Sequence, residues 1–200
     1  MHTKSQFIKL YNNTFSGTED LTNETFYMSL LRNPETHHAY NCFCKLEESR
    51  AWQLHTTLGQ QTKDGYDKTA MLFENRQLPH IEYLIRSAVY RLENDWNHVI
   101  LCTNDNYNYV TLMCANIHKD IQVLNIGNVK IDQNSFNNLM LSEAFWNKIS
   151  GEKILVYQQD ADIYHGDLAN YLKYDYIGPA WPIDQKDNQL QVGNGGYSLR

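Results

Sequence analysis

From Ala70 onward, short apolar runs alternate with stretches in which apolar residues recur every three or four positions. Buried strands read as continuous apolar runs and the helices covering them as one-sided stripes, so this rhythm predicts strands joined by crossover helices in a largely parallel sheet. It leaves room for five strands, and four can be placed. Ala70-Met71-Leu72-Phe73 is the first. A polar turn follows, then a helix with Pro79 near its first turn and apolar residues at Ile81, Leu84, Ile85, Ala88, Val89 and Leu92. Val99-Ile100-Leu101-Cys102 is the second strand and Ile121-Gln122-Val123-Leu124 the third, joined by a helix through Tyr109, Leu112, Met113 and Ile117. Ser142 is a natural cap for a helix starting Glu143-Ala144-Phe145-Trp146, Gly151 closes that helix, and Lys153 to Tyr157 forms the next strand.

The first 66 residues are less regular. A helix is expected from about Thr22 to Arg32, ended by Asn33-Pro34, and another around Leu46 to Leu54. Gly59-Gln60-Gln61-Thr62-Lys63-Asp64-Gly65 reads as a surface linker, which divides the chain into an amino-terminal extension, 1–66, and a main α/β domain, 67–200.

Composition narrows the classes of partner. Of 200 residues, 42% are hydrophobic, enough for a sizeable core. Seventeen basic against 23 acidic residues give 17 − 23 = −6, with no continuous basic face, which argues against nucleic acid as partner. No apolar run reaches the roughly 20 residues of a membrane-spanning helix, and the polar start has no signal-peptide core, so a cytoplasmic location is expected. Cysteines 42, 44, 102 and 114 fit neither a disulfide framework nor a paired zinc knuckle and read as reduced thiols, with Cys102 and Cys114 in the core.

The chemistry-bearing residues gather after strands. Asp160-Ala161-Asp162 follows the Lys153–Tyr157 strand, where open α/β sheets place ligands. Thirteen aspartates in 200 residues make about one such pair by chance, so the motif gains weight only from its place. If the strand geometry continues, both carboxylates face one side and can hold a divalent cation, Mn2+ or Mg2+, against a diphosphate; the alternative is a capping aspartate and a solvated one. Glu74-Asn75-Arg76 follows the first strand, and Arg76 suits a phosphate by its planar fork, although a simple Glu74–Arg76 surface pair satisfies the same residues. Gly193-Asn194-Gly195-Gly196 allows close backbone approach to a ligand, and Asn194 can bond sugar hydroxyls, but it is no dinucleotide fingerprint. Trp181 offers a ring to a sugar or packs in the core. No GxSxG elbow, HExxH or P-loop occurs.

Phe73-Glu74-Asn75-Arg76, Trp96, Tyr157-Gln158-Gln159-Asp160, Asp175-Tyr176-Ile177-Gly178-Pro179-Ala180-Trp181 and Gly193-Asn194-Gly195-Gly196-Tyr197-Ser198-Leu199-Arg200 together resemble the DUF5672 family, from about residue 68 to the end. The resemblance implies a Rossmann-like sheet of the GT-A glycosyltransferase type, a nucleotide-sugar donor linked to UDP or GDP, a divalent metal, and a glycan or protein acceptor. It implies donor-site roles for Glu74, Arg76, Asp160, Asn194, Gly195 and Gly196, with Asp160 the metal ligand at the matching position and Asp162 a less regular second ligand. The family occurs in bacteria, fungi and large DNA viruses, and the Asn- and Tyr-rich composition suits a giant virus, a source that would place the chain in host cytoplasm. Chains of the GT-A type usually continue beyond the point where this sequence stops, at Arg200, which leaves three expectations: a shortened relative that binds without transferring, a site completed by another chain, or a fragment; an inactive remnant acting as a binding or assembly module is the alternative function. A nucleotidyltransferase is a third reading, but its glycine-rich basic loop after the first strand is absent.

Overall fold

A computed structural model of the chain describes residues 4–14, 20–52, 58, 67–128, 132–179 and 196–200. Three helices come first: α1 (Lys4–Thr14), α2 (Phe26–Arg32) and α3 (Pro34–Arg50). The sheet region follows as β1 (Lys68–Phe73), α4 (Ile81–Leu92), β2 (Asn97–Cys102), α5 (Tyr107–Ile117), β3 (Gln122–Asn125), α6 (Gln133–Met140), α7 (Glu143–Trp146), β4 (Lys153–Tyr157) and β5 (Tyr197–Leu199). The five strands lie in the order β3-β2-β1-β4-β5, parallel except for β5, which runs antiparallel to β4. This is the expected class: a mostly parallel α/β sheet flanked by helices, with a helical amino-terminal part.

β1 is the axis of the sheet. All six of its residues are buried, because β2 and β4 pair with it on either edge and helices cover both faces. Its alternate side chains serve two cores. Ala70 and Leu72 join Ile100, Cys102, Leu155 and Leu199 beneath α4 and α5, while Met71 joins Val99, Leu101 and Val156 beneath Phe145, Phe136 and Met140 of α6 and α7. The helices thus change faces between β3 and β4. Helix α4 buries nine of its twelve residues because it is sandwiched: Ile81, Ile85 and Ala88 face the sheet, while Tyr83 and Leu84 meet Cys42 and Leu46 of α3. Arg50 of α3 reinforces that seam with a two-pronged bond to Glu82, Nε–Oε1 3.0 Å and Nη2–Oε2 2.8 Å.

Several elements depart from the periodicity reading. The helix expected at Leu46–Leu54 is the last turn of α3, which begins at Pro34: Asn33 ends α2 and starts α3, its side chain accepting from the amides of Glu35 and Thr36. Pro34, read as a stop, is the first residue of the next helix, where its missing N–H costs nothing. Helix α1 and helix α6, the latter with an Asp132–Ser135 capping box, were not legible, since neither carries a long apolar stripe. Ser142 caps α7 as expected, but α7 ends at Trp146, and Gly151 serves elsewhere. Gly151 takes φ +134° and passes so close to Thr69 that a Cβ would sit 2.9 Å from the hydroxyl. The 59–65 linker lies outside the described residues. Cys102 and Cys114 are buried free thiols, as expected.

The fifth strand comes from the carboxyl-terminal string. Leu199 pairs with Leu155 of β4 on one side and with Ile177 on the other, the latter through two backbone bonds of 2.9 and 2.8 Å. The Arg200 guanidinium lies over the rings of Trp146 and Tyr176. The Asp175–Gly178 and Tyr197–Arg200 strings therefore meet at the sheet edge and do structural work there.

Beyond β4 the chain runs back over the carboxyl end of α4, where a Cβ on Gly166 would overlap the Arg91 carbonyl oxygen. Gly166→Ala is expected to destabilise the fold by about 1–3 kcal/mol in denaturant unfolding, the cost of forcing backbone apart. A stability unchanged from the parent would show that this crossing is looser than described.

Candidate functional site

In a sheet ordered β3-β2-β1-β4-β5, the chain leaves β1 toward β2 on one side and returns through β4 on the other. The loops after β1 and β4 consequently diverge at the carboxyl ends of the strands, the topological position at which such sheets take ligands in a crevice. The two loops that meet there are 74–80 and 158–163, and both carry residues singled out from the sequence.

After β1, Glu74 turns inward. It is buried, and its Oε1 accepts from the backbone amides of Asn75 (3.0 Å) and Arg76 (2.9 Å) and from Arg76 Nε (2.8 Å), while Oε2 accepts from Arg76 Nη2 (3.0 Å). The pair reading of Glu74 and Arg76 is thus realised: the carboxylate shapes the loop and holds the guanidinium. Asn106, 1% exposed, secures the same loop from the far side. Its amide donates to the carbonyls of Glu74 (2.8 Å) and Arg76 (3.3 Å), and its Oδ1 accepts from Thr103 N (3.0 Å). Asn106 lies in the Asn104-Asp105-Asn106 run after β2 and was missed, although such a run is an ordinary sign of side chains bonding to loop backbone.

After β4, the strand stops at Tyr157, and Ala161 N bonds to Gln158 O at 3.0 Å, so residues 158–161 form a turn. The argument that Asp160 and Asp162 point the same way along a strand therefore does not apply here. The two carboxylates have different surroundings. Asp160 is exposed and has no side-chain hydrogen bond or ion pair among the described residues. Asp162 is half-buried and accepts from Tyr83 Oη at Oδ2 (3.0 Å) and from Ser87 Oγ at Oδ1 (2.7 Å). Burial, and then the charge of Asp162, raise the Tyr83 phenol, which keeps it protonated and able to donate.

One residue earlier, Gln159 is tied from two directions. His80 Nε2 lies 3.0 Å from Gln159 O and 3.2 Å from its Oε1, and Gln159 Nε2 donates to Glu35 Oε1 of α3 at 2.8 Å. Both partners of Nε2 are oxygen acceptors, so that nitrogen carries the proton, and the buried Nδ1 has no partner among the described residues. Burial pushes the His80 imidazole down to about 4, only partly opposed by the bonds to Gln159, so it is neutral at physiological pH. His38 of α3 stands edge-on to His80 and bonds Cys42 Sγ at 3.5 Å. Burial and the Asp162 charge push the Cys42 thiol up to about 12, which disqualifies it as a nucleophile.

Helix α4, which was legible, and α3, which was misplaced, therefore frame the site, and the signal that could have found His80, Tyr83 and Ser87 is their spacing. They fall at i, i+3 and i+7, His80 just before α4 and Tyr83 and Ser87 on it, one polar stripe aimed at one loop. Of the remaining expected residues, Gly196 precedes β5, while Asn194, Gly195 and Trp181 lie outside the described residues. A separate cleft of about 1050 Å³ lies between α1, α3 and the loop after β1, with Arg76, Asn75, Tyr109, Lys9 and Arg50 in its wall.

The donor chemistry fits a hard divalent cation, since both side chains after β4 offer carboxylate oxygen. Among the described residues no group of three His, Cys, Asp or Glu side chains stands ready to hold a metal. No helix among the described residues is long and apolar enough to cross a membrane.

Comparison with known proteins gives three findings. Residues 120–200 match the family model described as a protein of unknown function, DUF5672, a span that takes in β3 to β5 and the turn bearing Asp160. No curated protein matches the chain. Among solved structures it is similar to the mannosyltransferase PcManGT from Pyrobaculum calidifontis in complex with GDP-Man and Mn2+, at 12% identity and a TM-score of 0.44, over 80% of this chain and 47% of that one. The chain thus spans about half the length of that structure.

Two buried histidines set an acid limit. His80 titrates near 4 and His98, wholly buried, near 3, against an ordinary value of 6.5. The unfolded chain binds those protons first, so stability is expected to fall as pH drops from about 6.5 toward 4, by about 3 kcal/mol for His80 alone. Urea unfolding across this window should show the slope, and His80→Gln should reduce it without removing it, since His98 remains. An unaltered slope in that variant would contradict the assignment.

Proposed function

We propose that this chain is a glycosyltransferase-like domain that binds a nucleotide-diphosphate sugar, UDP- or GDP-linked, through Mn2+ or Mg2+ at the Asp160-Ala161-Asp162 turn, and transfers the sugar to a glycan or protein acceptor. The observation that carries the reading is the placement of Asp160: an exposed carboxylate without a side-chain partner among the described residues, on the turn leaving β4, in the crevice that the loop after β1 also borders. The match to DUF5672 covers this segment and carries no activity of its own; the activity class in this proposal comes from the resemblance of that family to GT-A glycosyltransferases.

Each residue then has a part. Asp160 would hold the cation, with Asp162 beside it. Bound there, the metal would offset charge developing on the leaving diphosphate. Glu74 shapes the loop after β1 and holds the Arg76 guanidinium through two nitrogens, so a phosphate reaching Arg76 competes with Glu74. Gly196, with Asn194 and Gly195, belongs to the same proposal as the lining of the sugar side.

A second reading, a module that binds the nucleotide sugar without transferring it, is favoured by one feature of the crevice. The titratable neighbours of the acidic turn are committed: His80 is buried and neutral, and Glu35 is bonded to Gln159, so neither stands ready as a general base.

Calorimetric titration with UDP, GDP and their sugar conjugates tests the main reading. Binding is expected with Mn2+ present, lost with chelator, and lost in Asp160→Ala, whose folding stability should change by no more than about 0.5 kcal/mol because the side chain is exposed. Release of free nucleotide diphosphate on adding acceptor separates transfer from mere binding. Nucleotide affinity indifferent to both chelator and Asp160→Ala would end the metal proposal.

A further inference from the structure

The two aspartates of the turn are not equivalent. Asp162 has each carboxylate oxygen occupied by a hydroxyl from α4, Tyr83 at 3.0 Å and Ser87 at 2.7 Å, and Ser87 also reaches the Ile163 carbonyl at 3.4 Å. Ser87 is 1% exposed, and neither hydroxyl rises from a mobile surface: Tyr83 is packed against Cys42, Leu46 and Trp52, and Ser87 lies between Arg86 and Ala88 on the buried side of the helix. One turn toward the start of α4, His80 grips the backbone and side chain of Gln159, and Glu35 of α3 holds the other end of that amide. Asp160 sits between the two anchored residues, exposed.

We propose that Asp162 is a positioning residue: the stripe His80, Tyr83 and Ser87 locks residues 159 and 162 to α4, so that Asp160, alone of the acidic pair, meets the cation directly. The inference rests on the metal-binding reading above and divides its labour. Hydrogen bonds to a carboxylate are directional and stronger than neutral ones, so two of them on Asp162 fix its orientation. Only residues 160 and 161 lie between the two anchors, and the Ala161–Gln158 bond of the 158–161 turn leaves them little freedom. Asp160 is then held at a preset place with its own side chain unbonded among the described residues, as a ligand must be if the cation is to bind without first ordering a loop. The arrangement also gives α3 a part in the site, since Glu35 supplies the only bond to Gln159 Nε2 among the described residues.

The test is a set of near-isosteric variants: Tyr83→Phe with Ser87→Ala, Asp162→Asn, Asp160→Asn, and Tyr83→Phe/Ser87→Ala combined with Asp162→Asn. Each is read by Mn2+-dependent binding of UDP or GDP and by hydrogen–deuterium exchange of amides 159–163 in the ligand-free chain. Removing both hydroxyls should speed exchange in that segment by about 10-fold or more and weaken Mn2+-dependent binding by about 10-fold, the usual effect of losing a ligand's orienting partners. Asp162→Asn should weaken binding by a similar factor, and losing the hydroxyls should add nothing in its presence, because both act through the same bonds. Asp160→Asn should abolish binding while leaving exchange at 159–163 unchanged. Loss of binding in Asp162→Asn as complete as in Asp160→Asn would overturn the division, as would unaltered exchange and affinity on removing the two hydroxyls. Absence of any Mn2+-dependent binding by the unmodified chain would instead overturn the metal-site reading, and this inference with it.

Discussion

The parallel pairing of β1 with β2 on one edge and β4 on the other is the constraint from which the rest follows. Six successive buried positions, Lys68 to Phe73, are possible only if both edges are bonded and both faces covered, and meeting that condition sends the chain out to one side and back on the other. The fork between the loops after β1 and β4 is a by-product of that route. A site at this fork inherits the rigidity of the most buried part of the molecule. Met71 and Leu72, wholly buried on opposite faces, each contribute about 1.5–3 kcal/mol to holding it in place.

The amino-terminal helices extend this logic. Helix α3 lies on α4 through Cys42, Leu46, Tyr83 and Leu84, and the contact turns the outer side of α4 into an interior surface. Polar residues on such a surface need partners, and those of α4 find them in the acidic turn: His80 with Gln159, Tyr83 and Ser87 with Asp162. The seam that buries α4 and the stripe that fixes the turn are therefore one arrangement. Its cost is acid sensitivity, since His80 is buried without a charge partner.

Most of the sheet was legible because its chemistry is local. Lys153–Tyr157 stands as read, and three other strands differ by a few residues at their ends, since a fully buried strand leaves a continuous apolar run in the sequence. β5 was not legible as a strand: three residues after a glycine-rich string leave no periodicity, and it exists because Leu155 and Ile177 bracket Leu199. In the site, the acidic turn and the Glu74–Arg76 segment were placed at the right strand ends. Their partners were hidden because His80, Tyr83, Ser87 and Glu35 come from helices more than 70 residues away in the chain, and such pairings exist only once α3 and α4 are packed. The strand-like projection of Asp160 and Asp162 failed for a local reason: the Ala161–Gln158 bond had already turned the chain.

The most direct measurement of the central claim, that the fork beside β1 is the ligand site, is a map of backbone amide NMR shifts on titrating the chain with UDP or GDP and a diamagnetic cation, Mg2+. The account predicts that the perturbed amides cluster in residues 74–80 and 158–163, on the two loops that part at β1. Shifts confined to the cleft between α1 and α3, or scattered over the surface, would contradict it.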